Sequence, residues 1–300
     1  GSHYAPRPAG GAAVLGSHLH PQAVYGCRMS LAQRVLIWGH GFGLERDVAY
    51  GPEPRHRLDI YTPRGRAPEA TVLFFYGGTW KSGTKALYRF LGEALTRRGF
   101  QAVIADYRLY PAVRFPAFVE DAALALAWTK ANIAAHGGRA DRIVLMGHSA
   151  GGYNAAMLSI DPRWLAPHGL SQRDIAATVA LAAPLSFNPL TAASVKDIFA
   201  PAADDPDAAR PVKLAAGGAA AAPPFLFLHG TGDRTIGAQN ASNMANAVSA
   251  AGGRAATRLY DRLGHLGVVT SFAWPLRWRA PCLDDAALFM ASAPRAADAA

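Results

Sequence analysis

A chain of 300 residues, 51% apolar and only 17% charged, can bury a large core as one α/β domain or two small ones, which excludes a disordered protein. The formal charge of +9 comes mainly from arginines dispersed in ones and twos (Arg97-Arg98, Arg277, Arg279) rather than in a basic stripe interleaved with aromatics, so nucleic acid is not an expected partner. No apolar run approaches the length of a bilayer span, so a soluble protein without a stable membrane span is expected.

Gly1-Ser2-His3 reads as a tag remnant, and the Ala-, Gly-, Pro- and His-rich stretch that follows as a flexible tail, so residues 1–26 are set apart from a single domain over 27–300. His18 and His20 read as part of that tail rather than as metal ligands. Val24–Cys27 has a faint likeness to a lipoprotein cleavage site, but Tyr25 is the wrong size for it. Two cysteines, Cys27 and Cys282, cannot build a disulfide framework or match a zinc spacing; two unpaired thiols are favoured over one pairing of the chain ends. The compartment, cytoplasmic or exported, and the oligomeric state stay open.

Met29–Gly39 has the pattern of a short amphipathic helix. Arg55–Pro63 alternates polar and apolar residues, as a half-buried strand does, whereas Ala70–Gly78 is a continuous apolar run ending in two glycines, the pattern of a strand covered on both faces. Further strands are predicted at Phe100–Arg108, Arg142–Gly147, Ala177–Pro184, Pro224–Gly230 and Ala255–Asp261. Helices are predicted at Leu87–Arg98, Phe115–His136, Gly152–Ser159 and Ala238–Ala251. This alternation predicts an α/β fold: a doubly wound, mostly parallel sheet of about eight strands with helices on both faces. Leu185–Ala222 breaks the rhythm with Pro, Asp and Ala-Gly runs. Each flank supplies a core strand, so it is expected as a small cap or cover (185–222) inside the domain.

Ligands of such sheets bind at the carboxyl ends of the strands. There, Gly147-His148-Ser149-Ala150-Gly151 falls between a predicted strand and a predicted helix, where the flanking glycines suit a sharply turned serine at the positive end of the helix. Serine needs a positioned base. Asp233 lies in the loop after the Pro224–Gly230 strand and His265 in the loop after the next, which gives the order Ser, acid, His. Asp261, four residues before His265, is the less favoured candidate for the acid. Oxyanion donors are expected from the Ala150 amide and from Gly77-Gly78-Thr79, whose glycines leave amides unshielded.

These motifs resemble the α/β-hydrolase superfamily, specifically the carboxylesterases related to hormone-sensitive lipase and kynurenine formamidase. In those relatives the oxyanion loop reads His-Gly-Gly-x-Trp or His-Gly-Gly-Gly; here it reads Tyr76-Gly77-Gly78-Thr79-Trp80, and "DYRLYP" and "FPAFVEDAALALAW" are also similar. The likeness spans about Arg46 to Val269. It implies Ser149, Asp233 and His265 as the triad, Gly78, Thr79 and Ala150 as oxyanion donors, and hydrolysis of a small-molecule ester through an acyl-enzyme, with no metal or organic cofactor. It also implies short to medium acyl chains. Trp80, Tyr110, Leu190 and Trp274 are candidates for the pocket wall, with simple core packing the equal alternative for each. Two other functions fit the same residues: a formamidase or small-peptide amide hydrolase, and a non-catalytic binding protein of this fold.

Overall fold

The structure, a computed structural model, describes residues 41–294. The expectations for residues 1–26, for a helix at 29–39 and for Cys27 lie outside the described residues. Cys282 is a buried thiol, pushed up by burial to about 12.

Eight strands form one sheet: β1 (Phe42–Ala49), β2 (Arg57–Pro63), β3 (Thr71–Phe75), β4 (Gln101–Ala105), β5 (Ile143–His148), β6 (Ile175–Leu181), β7 (Phe225–Gly230) and β8 (Ala255–Tyr260). Their spatial order is β1-β2-β4-β3-β5-β6-β7-β8. β2 runs antiparallel to both its neighbours, and every pairing from β4 to β8 is parallel. The crossovers carry α1 (Arg89–Arg97), α2 (Ala117–Asn132), α3 (Ala150–Ile160) and α6 (Gln239–Ala250). Two short helices, α4 (Lys196–Phe199) and α5 (Pro211–Ala216), lie between β6 and β7, and α7 (His265–Thr270) and α8 (Cys282–Ser292) follow β8.

Side chains on a strand alternate between its faces, so a strand covered on both sides is apolar throughout. Every residue of β3 to β7 is buried. In β7 the two faces separate: Phe225 and Phe227 pack with Met244 and Val248 of α6, while Leu226 and Leu228 belong to the main core, which also holds Leu283, Ala286 and Met290 of α8. Helices therefore cover both faces.

Two elements differ from the sequence expectation. β1 was not predicted, because Glu45, Arg46 and Asp47 break its apolar pattern; as the antiparallel edge strand it leaves those side chains in water. β2 is almost fully buried rather than half-buried, because its polar residue Asp59 faces Lys85 at 2.9 Å, and that ammonium also reaches Asp47 at 2.6 Å. A buried carboxylate is tolerable when so paired.

The segment 185–222 is tied down on both sides. Phe199 joins the core between Trp80, Phe115 and Tyr153; the Phe115 amide donates to the Ile198 carbonyl at 3.0 Å, and the Tyr153 hydroxyl to the Ala209 carbonyl at 2.8 Å.

Candidate active site

β5 ends at His148, and α3 begins one residue after Ser149, so the serine must reverse the chain within a single residue. It does so at φ 53° and ψ −120°, a strained conformation for a side chain with a Cβ. Its neighbours show what permits the turn. A Cβ on Gly147 would strike the backbone of Gly151 and Gly152, and one on Gly151 would strike the carbonyls of Phe75 and Tyr76. Strand and helix thus approach too closely for any other residue, and Ser149 is left 9% exposed.

His265 begins α7, after β8, and its Nε2 lies 3.0 Å from Ser149 Oγ. Its Nδ1 lies 2.7 Å from Asp233 Oδ2. Asp233 follows β7, and its other oxygen accepts the Thr235 and Ile236 amides, each at 2.9 Å. Burial pushes the carboxyl up, but the Ile236 amide, His265 and the Thr235 amide together outweigh it and hold it below the ordinary carboxylate range. Asp233 is therefore ionised at neutral pH. Asp261, the rival for the acid, is exposed and paired with Arg262 at 2.9 Å, so the structure brings Asp233 and not Asp261 to the histidine.

A second histidine lies against the acid. His229, buried at the end of β7, places Nε2 2.8 Å from the Ile236 carbonyl and 3.2 Å from Asp233 Oδ2. The carbonyl can only accept, so Nε2 carries a proton directed at Ile236; burial lowers this ring's basicity, and it lies beside Asp233 as a neutral imidazole. The sequence signal was available, since a histidine closing an apolar strand four residues before the acid has no packing reason to be there.

The loop after β3 runs along the serine. Gly77 lies so close that a Cβ on it would sit 2.9 Å from Ser149 Cβ. Gly78, Thr79 and Trp80 all have positive φ (138°, 56° and 55°), which curls the loop. None of the amides of Gly78, Thr79 and Ala150 donates to another described residue. Tyr76, where the resembled relatives have histidine, is held by its hydroxyl, which accepts from Arg55 Nη2 at 2.6 Å. The same guanidinium donates to the carbonyls of Gly83 (2.9 Å) and Tyr107 (2.7 Å). Its ring stacks on Tyr107, 4.9 Å between centroids, and Tyr107 returns a hydrogen bond from its hydroxyl to the Tyr76 carbonyl at 2.8 Å.

The four pocket candidates separate. Trp80 is a core side chain, 2% exposed, and not an open wall: the curl of the loop packs it against Phe118, Tyr153 and Phe199, and Nε1 donates to Asn154 Oδ1 at 3.0 Å. Trp274 is 69% exposed on the short 3-10 helix Trp274–Arg279, with the Arg277 guanidinium over its ring; no described contact joins it to Ser149, Asp233 or His265. Tyr110 is half-buried beside the loop, its amide donating to the Trp80 carbonyl at 2.8 Å. Leu190 is half-buried on the 185–222 segment and packs against the main core.

Among the described residues no group of three or more His, Cys, Asp or Glu is arranged to hold a metal, and no helix is long and apolar enough to cross a membrane.

The BD-FAE family profile matches residues 58–248. The chain is 38% identical over 119 residues to the probable isoprenylcysteine alpha-carbonyl methylesterase ICMEL1 of Arabidopsis thaliana, over 39% of this chain and 25% of that protein. It is 30% identical over 239 residues to esterase LipQ of Mycobacterium tuberculosis, over 72% of this chain and 55% of that one. The matched region thus spans between about a quarter and about half of these relatives. Among solved structures, Thermogutta terrifontis esterase 2 with propionate bound is 26% identical, covers 83% of this chain and 93% of its own, and superposes with a TM-score of 0.68.

Proposed function

The chain belongs to the BD-FAE family, and we propose that it is a serine-dependent carboxylic ester hydrolase working through an acyl-enzyme. The observation that carries this reading is the line from Ser149 Oγ to His265 Nε2 at 3.0 Å and from His265 Nδ1 to Asp233 Oδ2 at 2.7 Å. His265 Nε2 takes the hydroxyl proton as Ser149 Oγ attacks the ester carbonyl carbon. Asp233, ionised and dehydrated, fixes the tautomer that leaves Nε2 free and stabilises the imidazolium. The amides of Gly78, Thr79 and Ala150 receive the negative charge on the carbonyl oxygen. When the tetrahedral intermediate collapses, the C–O bond to the alcohol breaks and the alkoxide takes the proton from His265 Nε2. Water then gives a proton to His265 and attacks the acyl carbon, and Ser149 leaves with that proton.

Short to medium acyl chains are the preferred substrates. The propionate seen in the Thermogutta esterase supports the short end of that range, and the esterase names of the relatives favour esters over amides. Residues 185–222 act as a small cover, with Leu190 and Tyr110 bounding the acyl side.

The test is hydrolysis of p-nitrophenyl acetate, butyrate and octanoate beside N-formylkynurenine, with Ser149→Ala as control. Turnover highest on acetate or butyrate, and lost in the variant, is expected. Preference for the formyl amide would replace this reading by the amidase one, and no Ser149-dependent turnover would refute it.

A further inference from the structure

Between the serine loop, the oxyanion loop and the histidine loop runs a line of hydrogen bonds that the acyl-transfer steps do not use. The Gly77 amide donates to the Tyr88 hydroxyl at 3.3 Å. That hydroxyl lies 3.3 Å from His148 Nδ1, and His148 Nε2 lies 3.3 Å from the His265 carbonyl. Both ends of the line have fixed roles, since a backbone amide only donates and a carbonyl only accepts. The interior must therefore read in one direction: Tyr88 O–H donates to Nδ1, and His148 is the tautomer with its proton on Nε2. Burial, reinforced by the nearby His265 ring, pushes His148 down to about 3, so it stays neutral and keeps one donor and one acceptor.

We propose that His148 and Tyr88 are positioning residues, a brace that fixes the oxyanion amides relative to the catalytic base. The proposal rests on the esterase reading and deepens it. Gly77 is the residue before the two amides of the loop assigned to the oxyanion, so tethering its N–H sets where they point. His265 is held at its backbone by the same line, while its ring is held by Asp233. Three loops that the chain supplies separately, after β3, β5 and β8, are thus joined through one neutral imidazole. The geometry leaves little slack: a Cβ on Gly77 would lie 2.9 Å from His148 Nδ1, and the His148 and His265 rings are 5.0 Å apart. Tyr88 is itself held in place by stacking on Tyr76, 5.8 Å between centroids at 22°. The histidine at the first variable position of Gly-x-Ser-x-Gly therefore has a job distinct from that of the serine beside it.

The test compares Tyr88→Phe, His148→Leu and the double variant on p-nitrophenyl butyrate, with His148→Gln as partial rescue. Each single change is expected to lower kcat by about 10- to 100-fold with KM little altered, the effect of a small misplacement of reacting groups. The double variant should be no slower than the slower single, because both break one line. His148→Gln retains an N–H towards the His265 carbonyl and should recover part of kcat. Losses that multiply in the double variant, or that appear in KM with kcat intact, would overturn the proposal. Tyr88→Phe removes only a hydroxyl oxygen, so it reports even if His148→Leu fails to fold. Nitrogen-15 NMR of histidine-labelled wild type at neutral pH gives a second readout: the neutral Nε2–H tautomer of His148 is expected, and an Nδ1–H or cationic ring would sink the brace. Absence of Ser149-dependent turnover in the wild type refutes the esterase reading instead, and the NMR result still decides the brace.

Discussion

Replacing Asp233 by asparagine keeps the shape of the acid and removes its charge, and the local hydrogen bonds leave the new amide no good orientation. One Asp233 oxygen accepts two backbone amides, from Thr235 and Ile236, at 2.9 Å each. The other faces two imidazole nitrogens, His265 Nδ1 at 2.7 Å and His229 Nε2 at 3.2 Å. If the asparagine carbonyl stays on the amides, its NH2 faces His265 Nδ1 and obliges that nitrogen to accept. The His265 proton then sits on Nε2, and the ring can no longer take the proton of Ser149. If the amide flips, two backbone N–H groups lose their acceptor inside the protein. The first orientation is the cheaper, and a serine hydrolase with the wrong histidine tautomer loses about 10⁴-fold in kcat, roughly 5.5 kcal/mol of transition-state stabilisation. The lost charge-assisted bonds should lower stability by only about 1.5–3 kcal/mol. The assay is kcat and KM on p-nitrophenyl butyrate for Asp233→Asn beside Asp261→Asn, with thermal unfolding to show that both are folded. Asp261, exposed and paired only with Arg262 and Thr231, should leave the rate within about twofold of wild type, as surface changes do. A folded Asp233→Asn enzyme within tenfold of wild type, or an Asp261→Asn enzyme crippled instead, would refute the assignment of the acid.

Other changes read the packing around the site. Gly151→Ala drives a Cβ into the carbonyls of Phe75 and Tyr76; it should cost more than about 3 kcal/mol in urea unfolding, and near-native stability would disprove so tight an approach of α3 to β3. Trp80→Ala should cost about 3–5 kcal/mol as a core cavity, visible as a fall in melting temperature; retained stability with a changed acyl preference would return Trp80 to the pocket wall. The His148 imidazole titrates at about 6.5 when unfolded and at about 3 in the fold, so between those values the unfolded chain binds more protons. Its contribution to stability is therefore full above about pH 6.5 and is lost as pH falls towards 3. The melting temperature of His148→Gln should fall less steeply than that of wild type across that window, and parallel slopes would contradict a buried neutral His148.

What could be read in advance follows from how local each feature's cause is. The β3 to β7 strands announce themselves because two covered faces require unbroken apolar runs. Ser149 was readable because its turn makes demands on the residues two before and two after it, Gly147 and Gly151, that only glycine meets. Asp233 and His265 were readable because strand ends at one edge of the sheet supply both. β1 was hidden for the opposite reason: an edge strand with charged outward positions has no such pattern, and only its pairing with β2 makes it a strand.

The pocket candidates and the brace share a further difficulty, that their roles are decided by side-chain direction after the loops close. Trp80 directly follows Gly77-Gly78-Thr79, and nothing in its neighbours tells that three consecutive positive φ angles will seat its ring between Phe118 and Phe199. Tyr76 likewise departs from the histidine of the resembled relatives, and its support comes from Arg55, Tyr88 and Tyr107, drawn from three separate stretches of chain. A histidine at position 76 would present a short ring, whereas the tyrosine reaches farther and ends in a hydroxyl that needs a donor; Arg55 supplies it and, with its remaining N–H groups, also holds the carbonyls of Gly83 and Tyr107. The departure at one position and the arginine twenty-one residues earlier are thus two halves of one solution. Exchanging Tyr76 alone for the relatives' histidine would take from Arg55 its hydroxyl acceptor and leave the guanidinium on the carbonyls of Gly83 and Tyr107, so the loop would lose its side-chain tie to Arg55 while keeping the Tyr107 hydroxyl on the backbone carbonyl of residue 76.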